Sequence, residues 1–310
     1  MKAFLLGICA LFTTTVFAND PTDSLQMLQE QLRMIDSIES KLQYKTGKIT
    51  LNNGIATINV PPNFKFLEAE DARFILEDVW GNLKGQTALG MLVPVNSMAS
   101  IADYAFVVEY SEMGYVKDDD ADDINYDDLL KQLKEESLES NKERLKAGVA
   151  AMNLVGWAAT PYYDKTKNVL HWAKEYQVEG SEDNTLNYDV RVLGRKGVLV
   201  LQAVSGVSEL DSVKQNIDPL LNAVAFTDGN KYSDFNASTD DIAAWTIGSL
   251  VAGKVLAKAG VFAFILKFGK LFAIGGIALI TGLFKYFKRR RKEETLEPVY
   301  ESRPADEATN

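Results

Sequence analysis

The residue types that hold metals or move protons are concentrated in one stretch. GYVKDDDADDINYDD, residues 114–128, carries seven aspartates, and oxygen-rich loops of this kind bind calcium. Asp118, Asp120, Asp122 and Asp123 are the candidate ligands. The register of an EF-hand fails. Counted from Asp118, Asp123 stands where a glycine must turn the chain and Leu129 where a glutamate must close the site. Counted from Asp123, Asp128 and Lys134 stand there instead. The competing expectation is a solvated acidic loop leading into a helix, whose N-terminus favours negative charge. His171 is the sole histidine, so histidine-based metal sites and histidine dyads are excluded. Alternation sets it opposite Leu170 and Trp172, on a polar strand face with Glu175 and Gln177, as a surface residue. Carboxylate pairs are too abundant to single any out. There is no phosphate loop, dinucleotide fingerprint or Gly-x-Ser-x-Gly elbow. No cofactor is expected, and the pattern leans away from an enzyme without deciding the matter. GWAATPYYD and LHWA concentrate aromatics, and Trp157, Tyr163 and Trp172 are candidates for a partner surface. Core packing under a hairpin is the alternative.

The elements that must position these residues are legible by period. Residues 19–46 open with Asp20 and Pro21, a helix-start pair. Leu25, Leu28, Leu32, Ile35 and Leu42 then give an amphipathic helix, which packs on the domain or pairs with a partner helix. Asn53-Gly54 between alternating runs predicts a hairpin. Residues 68–81 read as a short helix stopped by Gly81, followed by strands at TALGMLVP and DYAFVVEY. The spacing predicts a helix over 127–146 with a weak apolar face after Leu133. Two more hairpins follow. One pairs a strand near Trp157 with residues 169–178; the other turns at 194–197. Leu186, Tyr188, Val190 and Val192 alternate with polar residues, so that strand reads as half buried; residues 198–204 are nearly all apolar and read as a central strand. Leu210, Val213, Ile217, Leu221 and Val224 mark a last helix, with a kink or restart at Asp218-Pro219. Hairpins dominate, so the fold class is α+β: a mainly antiparallel sheet covered by helices.

The two ends of the chain speak to placement. Residues 1–18, MKAFLLGICALFTTTVFA, read as a cleaved export signal with small residues before the cut. Its Cys9 is the sole cysteine, so the mature chain has no disulfide, thiol nucleophile or thiolate metal site. Residues 268–287 are long and apolar enough for a transmembrane helix, and residues 288–292 are all lysine or arginine. Basic flanks stay on the cytoplasmic side. The expectation is a periplasmic domain over 19–241, an apolar interfacial helix over 242–267, a single span over 268–287 and a basic cytoplasmic tail over 288–310. Residues 19–241 carry 21 Lys and Arg against 37 Asp and Glu, a net charge of −16. That field repels nucleic acid. The lipid bilayer, through the span, and an envelope protein are the expected partners.

The motifs GxATINVPPNFKFL, WGN, LGMLVP, GYVKDDDADDINYDDLL, VGWAATPYYD, LHWAKE, LNYDVRVLGRKGVL and DFNASTD occur in that order. In this they resemble the bacterial membrane-anchored proteins grouped as domain-of-unknown-function family 2167, over roughly residues 47–287. The resemblance implies an exported domain with a C-terminal membrane helix and implies no activity. VPPNF after a hairpin, and a last strand leading to DPLLNAVAF, look like the PsbP/Mog1 sandwich fold. The resulting expectation is an inner-membrane, single-pass binding or scaffolding module of the bacterial envelope. The alternatives are a carboxylate- or metal-dependent envelope hydrolase built on residues 118–128, and a structural subunit that recruits partners through the N-terminal helix.

Overall fold

A computed structural model describes residues 21–254, with Leu83 and Ala147 excepted. The sequence readings of 1–18, 268–287 and 288–310, and of the later part of 242–267, lie outside the described residues. No helix among the described residues is long and apolar enough to cross a membrane. The chain opens with α1 (Pro21–Glu39), β1 (Tyr44–Lys45), β2 (Gly47–Leu51), β3 (Ala56–Val60) and β4 (Phe64–Glu68). Next come α2 (Ala69–Phe74), whose last turn widens into a π-helical stretch Ile75–Val79, then β5 (Gly90–Pro94), β6 (Tyr104–Glu112) and β7 (Tyr115–Lys117). The second half holds α3 (Tyr126–Lys146), β8 (Met152–Asp164), β9 (Val169–Val178), β10 (Thr185–Leu193) and β11 (Gly197–Gly206). It ends with α4 (Leu210–Ala223), β12 (Val224–Phe226), β13 (Ile242–Thr246) and α5 (Ile247–Ala252).

Eight strands form one sheet in the order β1-β4-β5-β6-β11-β10-β9-β8, antiparallel at every junction. Antiparallel hairpins need only short turns, and three of those read from the sequence are present. The β2–β3 turn places Asn52, Asn53 and Gly54 at positive φ, a region that asparagine and glycine enter at least cost. β10 and β11 close through a hydrogen bond from Gly194 N–H to the Gly197 carbonyl. A Cβ at Gly197 would fall 2.2 Å from the Ser111 carbonyl oxygen on β6, so glycine lets the three strands meet there.

Alternation along the strands divides the core between two faces. One face carries Phe66, Phe106, Tyr188, Leu199 and Leu201 and packs under a small β12-β3-β2 sheet and α4. The other face carries two clusters side by side. Met91, Val93 and Val107 lie under α2; Leu170, Trp172, Val198 and Val200 lie under α3 and α5. Helix α4 runs unbroken through Pro219.

Three expectations require correction. The N-terminal helix ends at Glu39 and the chain is already β by Tyr44. Residues 242–252 do not begin an interfacial helix. They form β13, which pairs in parallel with β7, and α5, whose Ile247, Leu250 and Val251 are buried in the domain core. Apolar residues lie all round this short helix because its whole circumference is enclosed, a state that composition alone does not separate from a membrane-facing one. Finally, β10 is buried on both faces rather than one.

Candidate functional site

The second buried face of β10 carries polar residues. Asn187, Asp189 and Arg191 alternate with Leu186, Tyr188 and Val190 and point toward α3 and α5. The ladder fixes their neighbours. Asp189 lies between Trp172 on β9 and Gln202 on β11; Arg191 between Leu170 and Val200; Asn187 between Lys174 and Val204. One strand farther, Glu109 on β6 stands opposite Val200. A charged row thus crosses four strands in the middle of a sheet, where burial without partners is costly.

Much of that charge is satisfied locally. Asp189 Oδ1 accepts from Arg191 Nη2 at 2.7 Å and from Gln202 Nε2 at 3.1 Å. Lys174 Nζ donates to the Val251 carbonyl of α5 at 3.2 Å. The Trp172 ring is approached by Arg191 at 5.5 Å and by Lys174 at 6.0 Å, distances at which a ring quadrupole attracts a cation. From α3, Arg144 Nε donates to the Ala150 carbonyl at 2.7 Å, and Glu136 pairs with Lys254 just beyond α5. These groups enclose a cavity of about 330 Å³ lined by Arg144, Lys174, Asn187, Asp189, Arg191 and Gln202, with Trp172 in its wall and α5 at its margin.

Three buried side-chain atoms of this lining have no hydrogen-bond partner among the described residues: the donors Trp172 Nε1 and Arg191 Nε, and the acceptor Asn187 Oδ1. Glu109 Oε1, beside them, has none either. Burial pushes the Glu109 carboxyl up to about 7; Arg191 opposes the shift and Asp189 adds to it. Burial likewise lowers the Lys174 ammonium, against the pull of Asp189 and with the push of Arg191. The arrangement is equipped to hold a polar molecule by mixed donors and acceptors, with Glu109, raised to about 7, buried nearby.

The residues singled out by sequence fall elsewhere, with one exception. Asp118 Oδ2 accepts from the Tyr163 hydroxyl at 3.0 Å. Asp120 accepts the Ile247 and Gly248 N–H groups at the start of α5, at 3.0 and 3.1 Å. Asp122 pairs with Lys165, and the Asp123 N–H donates to the Asp120 carbonyl. Their observed contacts tie the loop to β8 and α5. Among the described residues no group of three or more His, Cys, Asp or Glu is placed to hold a metal ion. Trp157 Nε1 donates to the Tyr126 carbonyl at 3.3 Å and is half-buried, as is Tyr163. Trp172 is 1% exposed, so it is a wall of the pocket and not part of a surface. His171 is half-buried rather than a surface residue: its Nδ1 lies 2.9 Å from the Tyr188 hydroxyl, in a groove against α4 with Lys167, Lys214 and Asp218. Desolvation lowers its pKa, against Asp218 and Asp164.

Sequence reasoning missed Glu109, Lys174, Asn187, Asp189, Arg191 and Gln202. One signal was available. Gln202 interrupts the apolar run 198–204 on the central strand, and a polar side chain there needs a buried partner.

A family model described as "Protein of unknown function (DUF2167)" matches residues 43–281. No curated protein matches the chain. Among the solved structures that align with it are the following two. Cyanobacterial PsbP (CyanoP) from Synechocystis sp. PCC 6803 aligns with a TM-score of 0.34 and 10% identity, over 58% of this chain and 91% of that one. The Ran-binding protein Mog1p of Saccharomyces cerevisiae aligns with a TM-score of 0.31 and 13% identity, over 63% of this chain and 100% of that one.

Proposed function

The chain belongs to the DUF2167 family of proteins of unknown function, and from that premise we propose that it is a membrane-anchored binding module of a bacterial envelope, with the pocket under α3 and α5 as its ligand site. The observation that carries the binding reading is the mixed polar lining of the cavity, where the donors of Arg144, Lys174 and Arg191 stand beside the acceptors of Asn187 and Asp189. A buried group left without a partner costs about 1–3 kcal/mol. A small molecule bearing both donors and acceptors offsets that cost. Neither free donors alone nor free acceptors alone line the pocket, so a bare cation or a simple anion is a poorer match than a molecule carrying both kinds of group.

The anchoring half of the reading is supported by the sequence. The segments read as an export signal at 1–18 and as a span at 268–287 followed by five cations support a periplasmic domain and a cytoplasmic tail. Helix α5, at the margin of the pocket, ends at Ala252, sixteen residues before the proposed span begins. The hydrolase alternative moves with the chemistry: its loop aspartates are engaged by Tyr163, α5 and Lys165, and the carboxyl with a proton near neutral pH is Glu109.

Native mass spectrometry of the full chain, purified from membranes in detergent, tests the binding reading. The wild type is expected to carry a small molecule that Asn187→Leu releases. Bare polypeptide mass in both samples, with no polar compound raising the wild-type melting temperature, would sink it.

A further inference from the structure

Among the described residues, helix α1 has a row of leucines that is largely uncovered. Leu25 is 59% exposed, Leu28 51% and Leu32 53%. Its last turns are seated: Ile38 packs against the α2 cluster, and Glu39 accepts from the Tyr44 hydroxyl and from Ser100. Between the seated end and the domain runs an apolar groove of about 420 Å³ lined by Met34, Ile35, Ile38, Trp80 and Ile101. Ile101, at its mouth, is itself 59% exposed. Most of a helix's stability in a protein comes from packing its apolar face, and an uncovered leucine row raises the question of what lies against it.

We propose that this row pairs with the same row of a second copy, antiparallel about a two-fold axis passing near Glu30. The spacing of Leu25, Leu28, Leu32 and Ile35 is three, four, three, which reads the same in both directions. An antiparallel partner aligned on residue 30 therefore sets Leu25 against Ile35 and Leu28 against Leu32, and the symmetry repeats both layers. A two-fold contact requires this self-complementarity. Gln29 faces Gln31 beside the seam, so two uncharged amides meet where a charged pair would repel. Glu30 and Arg33 lie on the far side of the helix by its 3.6-residue period. This matters because residues 19–241 carry a net −16: two copies repel across most of their surface, and the α1 row is a strip without that penalty. The alignment also brings the partner's Leu25 to Ile35, at the apolar groove. One contact thus covers the leucines of one copy and the groove of the other. The proposal stands apart from the ligand pocket and does not depend on it.

Cysteine cross-linking of the full chain tests it directly, since Cys9 is the sole native cysteine and a Cys9→Ser background removes it. In that background, Leu28→Cys and Leu32→Cys chains are made separately, mixed and oxidised. The antiparallel pair predicts a covalent dimer in the mixture and its loss in either variant alone. Leu28→Asp with Leu32→Asp should convert the wild-type dimer to a monomer by light scattering in detergent, with the main thermal transition of the domain retained. Efficient cross-linking of Leu28→Cys by itself, a monomeric wild type, or cross-links in intact cells only to a different protein would each overturn the proposal.

Discussion

At the scale of single residues, Glu109 is the group whose environment matters most. Its carboxyl is raised from 4.5 to about 7, so the fold holds a proton that the unfolded chain has already released across that interval. The stabilisation is complete below pH 4.5 and is lost as the pH climbs through about 7. Replacing it with glutamine should remove this part of the pH dependence. Urea melts at about pH 5 and about pH 8 are expected to differ by roughly 2–3 kcal/mol more in the wild type than in Glu109→Gln. An unchanged difference would show that another group carries the slope. Lys174 has the opposite sense: its lowered pKa means a contribution present above pH 10.5 and lost as the pH falls through its folded value. The loop aspartates invite a second measurement. Asp118, Asp120 and Asp122 already have partners, so millimolar calcium and a chelator should give the same thermal melt. Trp172 apart, none of the pocket residues stood out in the sequence, because a carboxylate among 43 acidic residues is marked only by what its strand neighbours are.

At the scale of elements, the exposed side of β8 is instructive. It is the last strand of the sheet, and an open edge is a template for aggregation. Here α3 lies along it and supplies the missing partners. Ser137 Oγ donates to the Met152 carbonyl and accepts from the Leu154 N–H, while Asn141 Oδ1 accepts the Met152 N–H and its Nδ2 donates to Asn153. This explains a helix whose apolar stripe fades after Leu133: beyond that point it is held by hydrogen bonds. Asn141→Ala should therefore cost about 1–3 kcal/mol, while Leu138→Ala, on the exposed side, should stay within about 0.5 kcal/mol; denaturant melts decide. Helix α5 is held by a comparable device, with Asp120 accepting its first N–H groups from a loop far away in sequence. Asp120→Ala is expected to cost about 1–2 kcal/mol and to loosen the margin of the pocket, read as faster amide exchange at Ile247 and Gly248. The elements themselves were largely legible, since hairpin turns and helical stripes are local patterns. The strand and helix at 242–252 were not, since their burial depends on β7 and α3.

At the scale of the whole molecule, the β6, β10 and β11 strands lie at the centre of the large sheet of the described residues. Gly197 is their meeting point, and Gly197→Ala should destabilise the domain by roughly 2–4 kcal/mol because the added carbon meets backbone that cannot yield. The proposed topology is tested at the same scale. A phosphatase that works only in the periplasm, fused after Asn310, should be inactive, and a cytoplasmic fluorescent reporter at the same point should glow. Activity of the phosphatase there would overturn the orientation. The sequence by itself determined the α+β class, the hairpins and nearly all helix positions. Each follows from periods of two or 3.6 residues and from turn chemistry within a few positions. Only the tertiary structure decided that β10 is buried on both faces, that Trp172 is wall rather than surface, and that Lys174, Asp189 and Arg191 share one pocket, with Glu109 buried near them. Those facts arise from strand order and register across segments that can lie more than ninety residues apart, as Glu109 and Val200 do, and charge becomes informative only once the surrounding chain has excluded water from it.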